Sequence, residues 1–315
     1  MTTYVPSYYH AFQCIAEKCR HNCCIGWEID IDVQTYDFYQ NISGKFGRKL
    51  RDNISDSEGV PHFVLTPEDR CPFLNERNLC DIILNLGEKG LCSICRDHPR
   101  FRNFFDSRTE EGLGLCCEEA VRLILTQSGK FTLIQQDMDM LDPFCPAEEE
   151  VFFRFRQKMI DIVQERSKPF SVRLSRLLRE SGTNFPHKSP RQWAEIFLSL
   201  ERLESEWKER LEALKTFAYF SFADITDQRL MIALEQLTVY FLFRHLADGR
   251  YDGRWQERIA FSVLSVFIIY YLYLSQIKQG ETFQLSEFAE ITRMYSVEIE
   301  YSDENTEILF DHLQQ

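Results

Sequence analysis

The sequence has no excess of basic residues, its first residues do not read as a secretory leader, and its longest nearly apolar run is short for a membrane span. Lys and Arg total 36 against 49 Asp and Glu, a net charge of −13 over 315 residues. This balance argues against a nucleic-acid partner, because nucleic-acid binders usually carry a basic stripe. The first 13 residues lack a basic segment followed by an apolar one, so we expect a cytoplasmic protein. The longest nearly apolar run, 259–274, is shorter than the roughly 20 residues that cross a bilayer. We therefore expect a buried core helix and no membrane partner.

Several sequence motifs of enzymes are also missing. There is no G-x-G-x-x-G turn and no G-x4-G-K-[ST] loop, so dinucleotide and P-loop nucleotide binding have no support. Neither G-x-S-x-G nor H-E-x-x-H occurs, which argues against common hydrolases. The Cys-x3-Cys-x2-Cys motif of radical chemistry begins at Cys19 and Cys23 but has Gly26 at its third position.

Cysteine is abundant, but only in the first 145 residues. All eleven cysteines lie there, and the last 170 residues have none. We therefore predict a cysteine-rich, metal-binding domain over 1–145 and an all-helical domain over 146–315. A reducing cytosol disfavours disulfides, and an odd number of cysteines cannot pair completely, so metal binding explains this density of thiols better.

The second region has the periodicity of helices. Ser189-Pro190-Arg191-Gln192 is a capping-box start, and apolar residues then recur at steps of three and four as far as Leu214, predicting one helix of about 25 residues. Further helices are predicted over 228–247 and 255–278, and short strands over 27–33, 62–66 and 130–134. The acidic tail, 298–311, is predicted to be a solvated face or a frayed end. The fold class is mainly α: an irregular cysteine-rich metal-binding N-terminal region with few short strands, followed by a helical bundle.

The cysteines form three groups whose chemistry suits soft metals. Thiolates bind zinc and iron–sulfur clusters, and both usually take four ligands. Only Cys92 and Cys95 make a C-x2-C knuckle, so the irregular spacing favours an iron–sulfur cluster (4Fe-4S) over zinc. Cys92, Cys117 and Cys145 are equally well explained as ordinary buried cysteines. The neighbouring Arg96 and Arg100 are predicted to bind a cofactor, by offsetting the charge of a thiolate centre or clamping a carboxylate, although plain surface charge explains them equally well. His98 is an alternative fourth ligand in a Cys3His site.

The cysteine groups resemble those of the flagellin lysine-N-methylase family. The resemblance covers residues 4–120 and rests on Cys14-x4-Cys19-x3-Cys23-Cys24-x-Gly26-Trp27, on Cys71-Pro72-Phe73-Leu74 with Cys80, on Cys95 with Pro99-Arg100, and on Cys116. It implies a protein-lysine N-methyltransferase that uses S-adenosylmethionine, carries an iron–sulfur cluster and acts on flagellin or another lysine-rich protein. It also implies eight metal ligands: Cys14, Cys19, Cys23, Cys24, Cys71, Cys80, Cys95 and Cys116.

The residues themselves do not define a catalytic site. Methyl transfer to lysine needs a neutral amine aligned with a sulfonium methyl group, and no donor pocket is evident in the sequence. Tyr8, Tyr9, Asp81 and Arg100 are candidates only because they lie beside the cysteines. Two other functions stay open: a metal-binding or electron-transfer module without enzymatic activity, and a structural zinc protein. The acidic tail offers a surface for a lysine-rich substrate.

Overall fold

A computed structural model describes residues 2–57, 59–136, 144–217, 222, 225–277 and 282–314. The chain divides into two compact units. Unit 1 comprises Met1–Phe12 and Arg102–Gln315, and unit 2 comprises Gln13–Phe101. Unit 2 is thus an insertion between the first strand and the rest of unit 1. These units differ from the predicted ranges 1–145 and 146–315, because residues 102–145 belong with the helical part.

Strands are short and few in the described residues, and helices dominate, which confirms the mainly α fold. The strands are β1 Thr2–Pro6, β2 Ile54–Ser55, β3 His62–Phe63, β4 Arg100–Phe104, β5 Arg108–Leu113 and β6 Leu133–Gln135. One sheet has the order β4-β5-β1-β6, with β1 parallel to β5 and antiparallel to β6. In this register Thr2 faces Arg108 and Tyr4 faces Glu110. The strand predicted over 130–134 therefore exists as β6, shifted towards its C-terminal end.

The α-helices of the described residues are numbered in chain order. They are α1 Val33–Gln40, α2 Gly44–Asp52, α3 Asp81–Leu86, α4 Ser93–Asp97, α5 Glu118–Leu125, α6 Ala147–Val163, α7 Phe170–Ser181, α8 Pro190–Ser199, α9 Ser205–Lys215, α10 Gln228–His245, α11 Gly249–Asp252, α12 Trp255–Gln276, α13 Leu285–Tyr295 and α14 Asp303–Leu313. A π-helical turn, Ser296–Glu300, follows α13 directly.

The single helix of about 25 residues predicted from Ser189 onward is wrong. The chain instead forms α8 and α9, which pack against each other. The Glu298 carboxylate accepts the N–H groups of Leu203 and Glu204 at 2.9 and 2.6 Å. The Asn305 side chain accepts the N–H of Glu201 and donates to its carbonyl. These side chains satisfy the backbone groups that a continuous helix would pair internally, so a distant part of the chain stabilises the break.

The predicted start of α8 is confirmed. The Ser189 side chain accepts the N–H of Gln192, and the Gln192 side chain accepts the N–H of Ser189, which completes a capping box. We expect Ser189→Ala to lower the free energy of unfolding by about 1 kcal/mol, because one N–H of the first turn loses its acceptor. Urea unfolding of this variant beside Ser199→Ala, which removes a hydroxyl at the other end of the helix, measures the effect. Equal stability of the two variants would contradict it.

The core of unit 1 contains α10 and α12, which pack against each other. Their bounds agree with the predicted helices 228–247 and 255–278, although Lys278 lies outside the described residues. By length and composition α12 passes the test for a membrane span, but 78% of its most apolar window is buried inside the protein. Its apolar residues are therefore covered by neighbouring helices, as expected of a core helix.

The prediction that the acidic tail is a solvated face or frayed end is wrong for its first half. Glu298 and Glu300 are 1% and 7% exposed, and both lie in the π-helical turn. Helix α14 then covers the core with Leu309 and Phe310. Asp303 and Glu304 do remain exposed at its first turn. Buried hydrogen-bond donors, which periodicity does not reveal, explain why these carboxylates are inside.

Unit 2 has a small core of its own, and the predicted strand over 27–33 is not formed. The chain there is extended, with Ile29 accepting the N–H of Phe63 and Ile31 donating to Pro61. It then enters α1 at once, because the Asp32 carboxylate caps that helix. The alternation was correct in burial at Ile29 and Ile31, but Val33, which it also placed inside, is 72% exposed. The strand predicted over 62–66 is limited to β3.

Candidate functional site

Backbone hydrogen bonds bring three cysteine segments of unit 2 together. The N–H of Cys71 donates to the carbonyl of Cys24 at 2.8 Å, and the N–H of Gly26 donates to Asp69. Gly26 has φ +76°, a conformation that glycine adopts without strain, and this turns the chain after Cys24. Leu74 in turn forms a bridge with Cys80. Cys24, Cys71 and Cys80 therefore lie on adjacent strands of backbone, although more than 40 residues separate the first two in sequence.

Two of the thiols lie at helix N-termini. Cys80 is the N-cap of α3, where burial raises the pKa of its thiol and the N–H groups of Ile82 and Ile83 oppose that rise. Cys92 is the N-cap of α4, where the N–H of Cys95 helps to lower the pKa of its thiol. The N–H groups of Phe73 and Leu74 also lower the pKa of Cys71, against its burial. N–H groups near a sulfur favour the thiolate form, which is the form that binds metals.

The segment that carries Cys92 is fixed to the rest of unit 2 by two polar side chains. The Asp32 carboxylate accepts the N–H of Ser93 at 2.8 Å as well as that of Thr35. Burial opposes the charge of Asp32, but these hydrogen bonds lower its pKa to about 2. The Tyr39 hydroxyl donates to the carbonyl of Gly90 at 2.6 Å. One carboxylate thus joins the starts of α1 and α4, and so sets the position of Cys92.

The thiols interact in two pairs. A hydrogen bond with Cys24, assisted by His98, lowers the pKa of the Cys23 thiol to about 4, and the same pairing raises the pKa of Cys24. A hydrogen bond with Cys95 lowers the pKa of Cys92, and the same bond raises the pKa of Cys95. Burial is the main cause that raises the pKa of Cys71 to about 11. In each pair, the shared hydrogen bond lowers the pKa of one thiol and raises that of the other.

We call Cys23, Cys24, Cys71, Cys80, Cys92 and Cys95 the cysteine cluster. Cys71 and Cys92 are part of the buried core of unit 2, and Cys24, Cys80 and Cys95 pack against it. Among the described residues, no group of three or more Cys, His, Asp or Glu side chains is arranged to hold a metal ion as it stands. The structure therefore shows a concentration of thiols with donors to their sulfurs, and metal binding stays a prediction.

The cysteine cluster contains five of the eight predicted ligands and one further cysteine, Cys92. Cys92 belongs to it although the sequence left its role open, and its C-x2-C spacing with Cys95 was the available signal. Cys14 is exposed, and the Cys19 thiol donates to the carbonyl of His21. Cys116 lies in unit 1, where burial raises the pKa of its thiol to about 12 and Tyr301 donates to it. The ligand roles of Cys14, Cys19 and Cys116 stay predictions.

The other predicted site residues lie in both units. Tyr8 is buried in unit 1, and the Tyr9 hydroxyl donates to Glu111 at 2.5 Å. In unit 2, Asp81 accepts from Lys49 at 2.7 Å and from Asn75 at 3.0 Å. These contacts give Tyr9 and Asp81 clear structural roles, and their catalytic roles stay predictions.

The two arginines predicted to bind a cofactor lie close together in unit 2. The Arg96 guanidinium donates to the Ser93 hydroxyl at 3.2 Å, and that of Arg100 donates to the carbonyl of Arg96 at 3.3 Å. Arg96 is the basic residue in the last turn of α4, which begins at the N-cap Cys92. Both arginines are thus near members of the cysteine cluster in sequence. Their role towards a cofactor stays a prediction.

Unit 1 contains a buried polar network that the sequence did not indicate. The Glu300 carboxylate accepts the Tyr240 hydroxyl at 3.0 Å and contacts His245 Nε2 at 2.6 Å. The Arg244 guanidinium donates to the Tyr240 hydroxyl at 2.6 Å. The π-helical turn after α13 carries Glu300, and such turns are frequent at functional sites. The only signal in the sequence was the acidic tail, whose burial periodicity alone does not reveal.

His245 in this network gives a pH dependence of stability. Burial lowers the pKa of His245 against the opposing hydrogen bond with Glu300, and Arg244 and Arg258 lower it further. Below about pH 6.5 the histidine binds a proton more readily in the unfolded chain than in the folded one. The free energy of unfolding therefore decreases as the pH falls. Between pH 7.5 and 5.5, we expect the free energy of unfolding to fall by about 1 kcal/mol more in the unsubstituted protein than in His245→Gln. Urea unfolding at both pH values measures it, and equal losses would count against the assignment.

Comparisons with known proteins identify the class. The family model of the FliB lysine N-methylase C-terminal domain matches residues 130–315, more than half of the chain. The chain therefore belongs to the FliB lysine N-methylase family. The matched range is the helical half, whereas the resemblance in the sequence rested on residues 4–120.

Individual relatives agree with this family. The chain is 26% identical over 180 residues to a lysine-N-methylase of Salmonella typhimurium. The match covers 51% of this chain and 43% of the relative. It is equally similar to a lysine-N-methylase of Salmonella choleraesuis. Over 139 residues it is 27% identical to the flagellar biosynthetic protein FliU of Salmonella muenchen, covering 42% of this chain and 82% of that protein. The chain thus matches less than half the length of the two lysine-N-methylases. No solved structure matches it.

Proposed function

We propose that this protein is a protein-lysine N-methyltransferase that acts on flagellin in the cytoplasm, with S-adenosylmethionine as the methyl donor. The match of the family model to residues 130–315 carries this proposal, and the FliU relative adds the connection to flagella. The reaction forms a bond between the lysine Nζ and the donor methyl carbon while the bond from that carbon to sulfur breaks. S-adenosylhomocysteine leaves, and the amine loses one proton.

We further propose that the cysteine cluster binds metal, an iron–sulfur cluster in preference to zinc. Soft sulfur ligands with backbone N–H groups that favour their thiolate form, at Cys71, Cys80 and Cys92, suit such a group. Ligation requires the hydrogen-bonded pairs Cys23–Cys24 and Cys92–Cys95 to separate, so that at least one sulfur of each pair turns to the metal. When bound, the metal would join the separate cysteine segments of unit 2, whose apolar core is small.

The charge of the protein supports a lysine-rich substrate. The net charge of −13 and the exposed acidic first turn of α14 attract basic segments over about a Debye length. Binding that depends on this attraction weakens as salt is added.

Purified protein, prepared without oxygen, is incubated with S-adenosylmethionine and unmethylated flagellin, and the flagellin is analysed by mass spectrometry. We expect mass increases of one methylene per transfer, located on lysines and suppressed by excess S-adenosylhomocysteine. Iron, acid-labile sulfide and zinc are measured on the same preparation. Protein that contains its metal but leaves flagellin unmodified would overturn the proposed activity and favour a metal-binding or structural role.

A further inference from the structure

Unit 1 contains a cavity of about 510 Å³ between the sheet and α6. Its walls include Tyr4 of β1, Arg108 of β5 and Phe131 before β6, and Phe153 and Arg156 of α6. This volume lies within the range typical of sites for small ligands, and walls of aromatic rings with a few polar groups are typical of such sites. Every lining residue belongs to unit 1, so the cavity is complete within one compact part of the chain.

The charges at this cavity do not balance. Arg108 and Arg156 donate to the same oxygen, Oε1 of Glu110, at 2.5 and 2.6 Å. The Arg156 and Glu110 side chains are 4% and 0% exposed, and that of Arg108 is 20% exposed. Two guanidinium groups therefore share one carboxylate in a poorly solvated place. Within the part of the chain that the structure describes, one positive charge is left without a carboxylate partner, which is costly unless an anion joins it.

Unused hydrogen-bond donors accompany this excess charge. Nε of Arg108 and Nη1 of Arg156 are buried and have no hydrogen-bond partner among the described residues, and the same holds for Oε2 of the Glu110 carboxylate between them. A buried donor without an acceptor costs more than a hydrogen bond gains, so native proteins rarely leave two so close together. Guanidinium groups match carboxylates in shape, because their planar N–H groups bind two oxygens at once. A ligand carboxylate would supply the acceptor oxygens that these two donors lack.

Aromatic rings hold Arg108 at the cavity wall. Its guanidinium carbon lies 3.5 Å from the ring centre of Phe153 and 4.9 Å from that of Tyr4. The rings keep the guanidinium plane in place and offer apolar surface beside it. At the rim, Arg154 and Glu150 pair at 3.2 Å and are largely exposed, so they neutralise each other. The ligand that fits has a carboxylate at one end and a flat apolar body.

We infer that this cavity binds the methyl donor, with the donor's amino-acid carboxylate on Arg108 and Arg156 and its purine against the aromatic wall. The inference rests on the proposed function, since it takes the donor to be S-adenosylmethionine. Arg108 and Arg156 then act as binding residues that fix one end of the donor. Neither arginine was a candidate in the sequence, because β1–β5 pairing and α6 bring them together only in the fold.

Calorimetric binding of two probes tests this site. S-adenosylhomocysteine carries the carboxylate, and 5′-methylthioadenosine has the same purine and sulfur without the amino-acid end. We expect Arg108→Gln to weaken binding of S-adenosylhomocysteine about ten- to a hundredfold, the usual value of a hydrogen bond to a charged group. Binding of 5′-methylthioadenosine stays within about twofold in this variant, since its contacts are retained. Arg191→Gln on α8, an exposed arginine distant in sequence, is the matched control and leaves both affinities unchanged.

The outcomes separate this inference from the proposed function. Equal S-adenosylhomocysteine affinity in Arg108→Gln and the unsubstituted protein overturns the cavity assignment, while methyl transfer to flagellin leaves the activity intact. An equal loss for both probes also overturns it, because the carboxylate is then not the group recognised. If the unsubstituted protein neither binds S-adenosylhomocysteine nor methylates flagellin, both proposals fall. Retained binding of 5′-methylthioadenosine shows that the variant is folded.

Discussion

Replacing Cys71 by serine is expected to remove most of the metal that the protein binds, with affinity reduced by more than about tenfold. Cys71 is 5% exposed in the core of unit 2, which also contains Cys92 and against which Cys24, Cys80 and Cys95 pack. A serine hydroxyl has nearly the same size, but it is not a soft ligand and does not ionise near neutral pH. Cys80→Ser is expected to have the same effect, since Cys80 lies beside Leu74 through a backbone bridge.

Zinc, iron and acid-labile sulfide per chain are measured after purification without oxygen. Cys145→Ser is the matched control, because Cys145 lies in unit 1 and its thiol donates only weakly to the Pro146 carbonyl at 3.6 Å. Its metal content is expected to equal that of the unsubstituted protein. Unchanged metal in both Cys71→Ser and Cys80→Ser would rule out the cysteine cluster as the centre.

The same measurement decides between Cys92 and the exposed Cys14. The fold places Cys92 in the cysteine cluster, whereas the resemblance of the sequence names Cys14 as a ligand. If the cysteine cluster is the ligand set, Cys92→Ser loses metal as Cys95→Ser does. Loss of metal in Cys14→Ser with none in Cys92→Ser would instead support the ligands implied by the resemblance.

The second large effect is expected from Glu235→Gln in α10. Glu235 is 1% exposed, and its two oxygens accept from Arg166 and from the buried Arg173 at 2.8 and 2.7 Å. The amide keeps the shape but removes the charge, so Arg173 is left as an uncompensated cation in the core. We expect the free energy of unfolding of unit 1 to fall by about 3–5 kcal/mol.

Urea unfolding followed by tryptophan fluorescence measures this loss, because three of the four tryptophans, Trp193, Trp207 and Trp255, lie in unit 1. Glu195→Gln makes the same substitution in an exposed ion pair. The Glu195 side chain is 52% exposed, and that of its partner Arg191 is 71% exposed. The effect of Glu195→Gln is expected to stay below about 0.5 kcal/mol. Similar stabilities of the two glutamine variants would show that the buried network contributes little.

Local patterns in the sequence were sufficient for helices whose caps and periodicity are their own. The start of α8 and the bounds of α10 and α12 follow from such signals. The break between α8 and α9 did not, because Glu298 and Asn305, about 100 residues away, supply its hydrogen bonds. The predicted strand over 27–33 failed for a related reason, since the Asp32 cap starts a helix where the alternation continues.

The candidate sites show the same division. The cysteines were visible as residue types, but only backbone pairing of Cys24, Cys71 and Cys80 shows which segments meet. The cavity could not be predicted, because Tyr4 and Arg108 become neighbours through parallel pairing of strands that are distant in sequence. No spacing rule connects such residues before the topology is known.

The position of unit 2 within the chain has a consequence for the order of events on the ribosome. Strand β1 leaves the ribosome before unit 2, its parallel partner β5 follows about 100 residues after β1, and all of unit 2 is made in between. At about 5–20 residues per second, the nascent first strand waits roughly 5–20 s for its neighbour. During this interval unit 2 is complete and able to collapse on its own core. Unit 2 can therefore fold before the β1–β5 pairing that closes the sheet of the larger unit becomes possible.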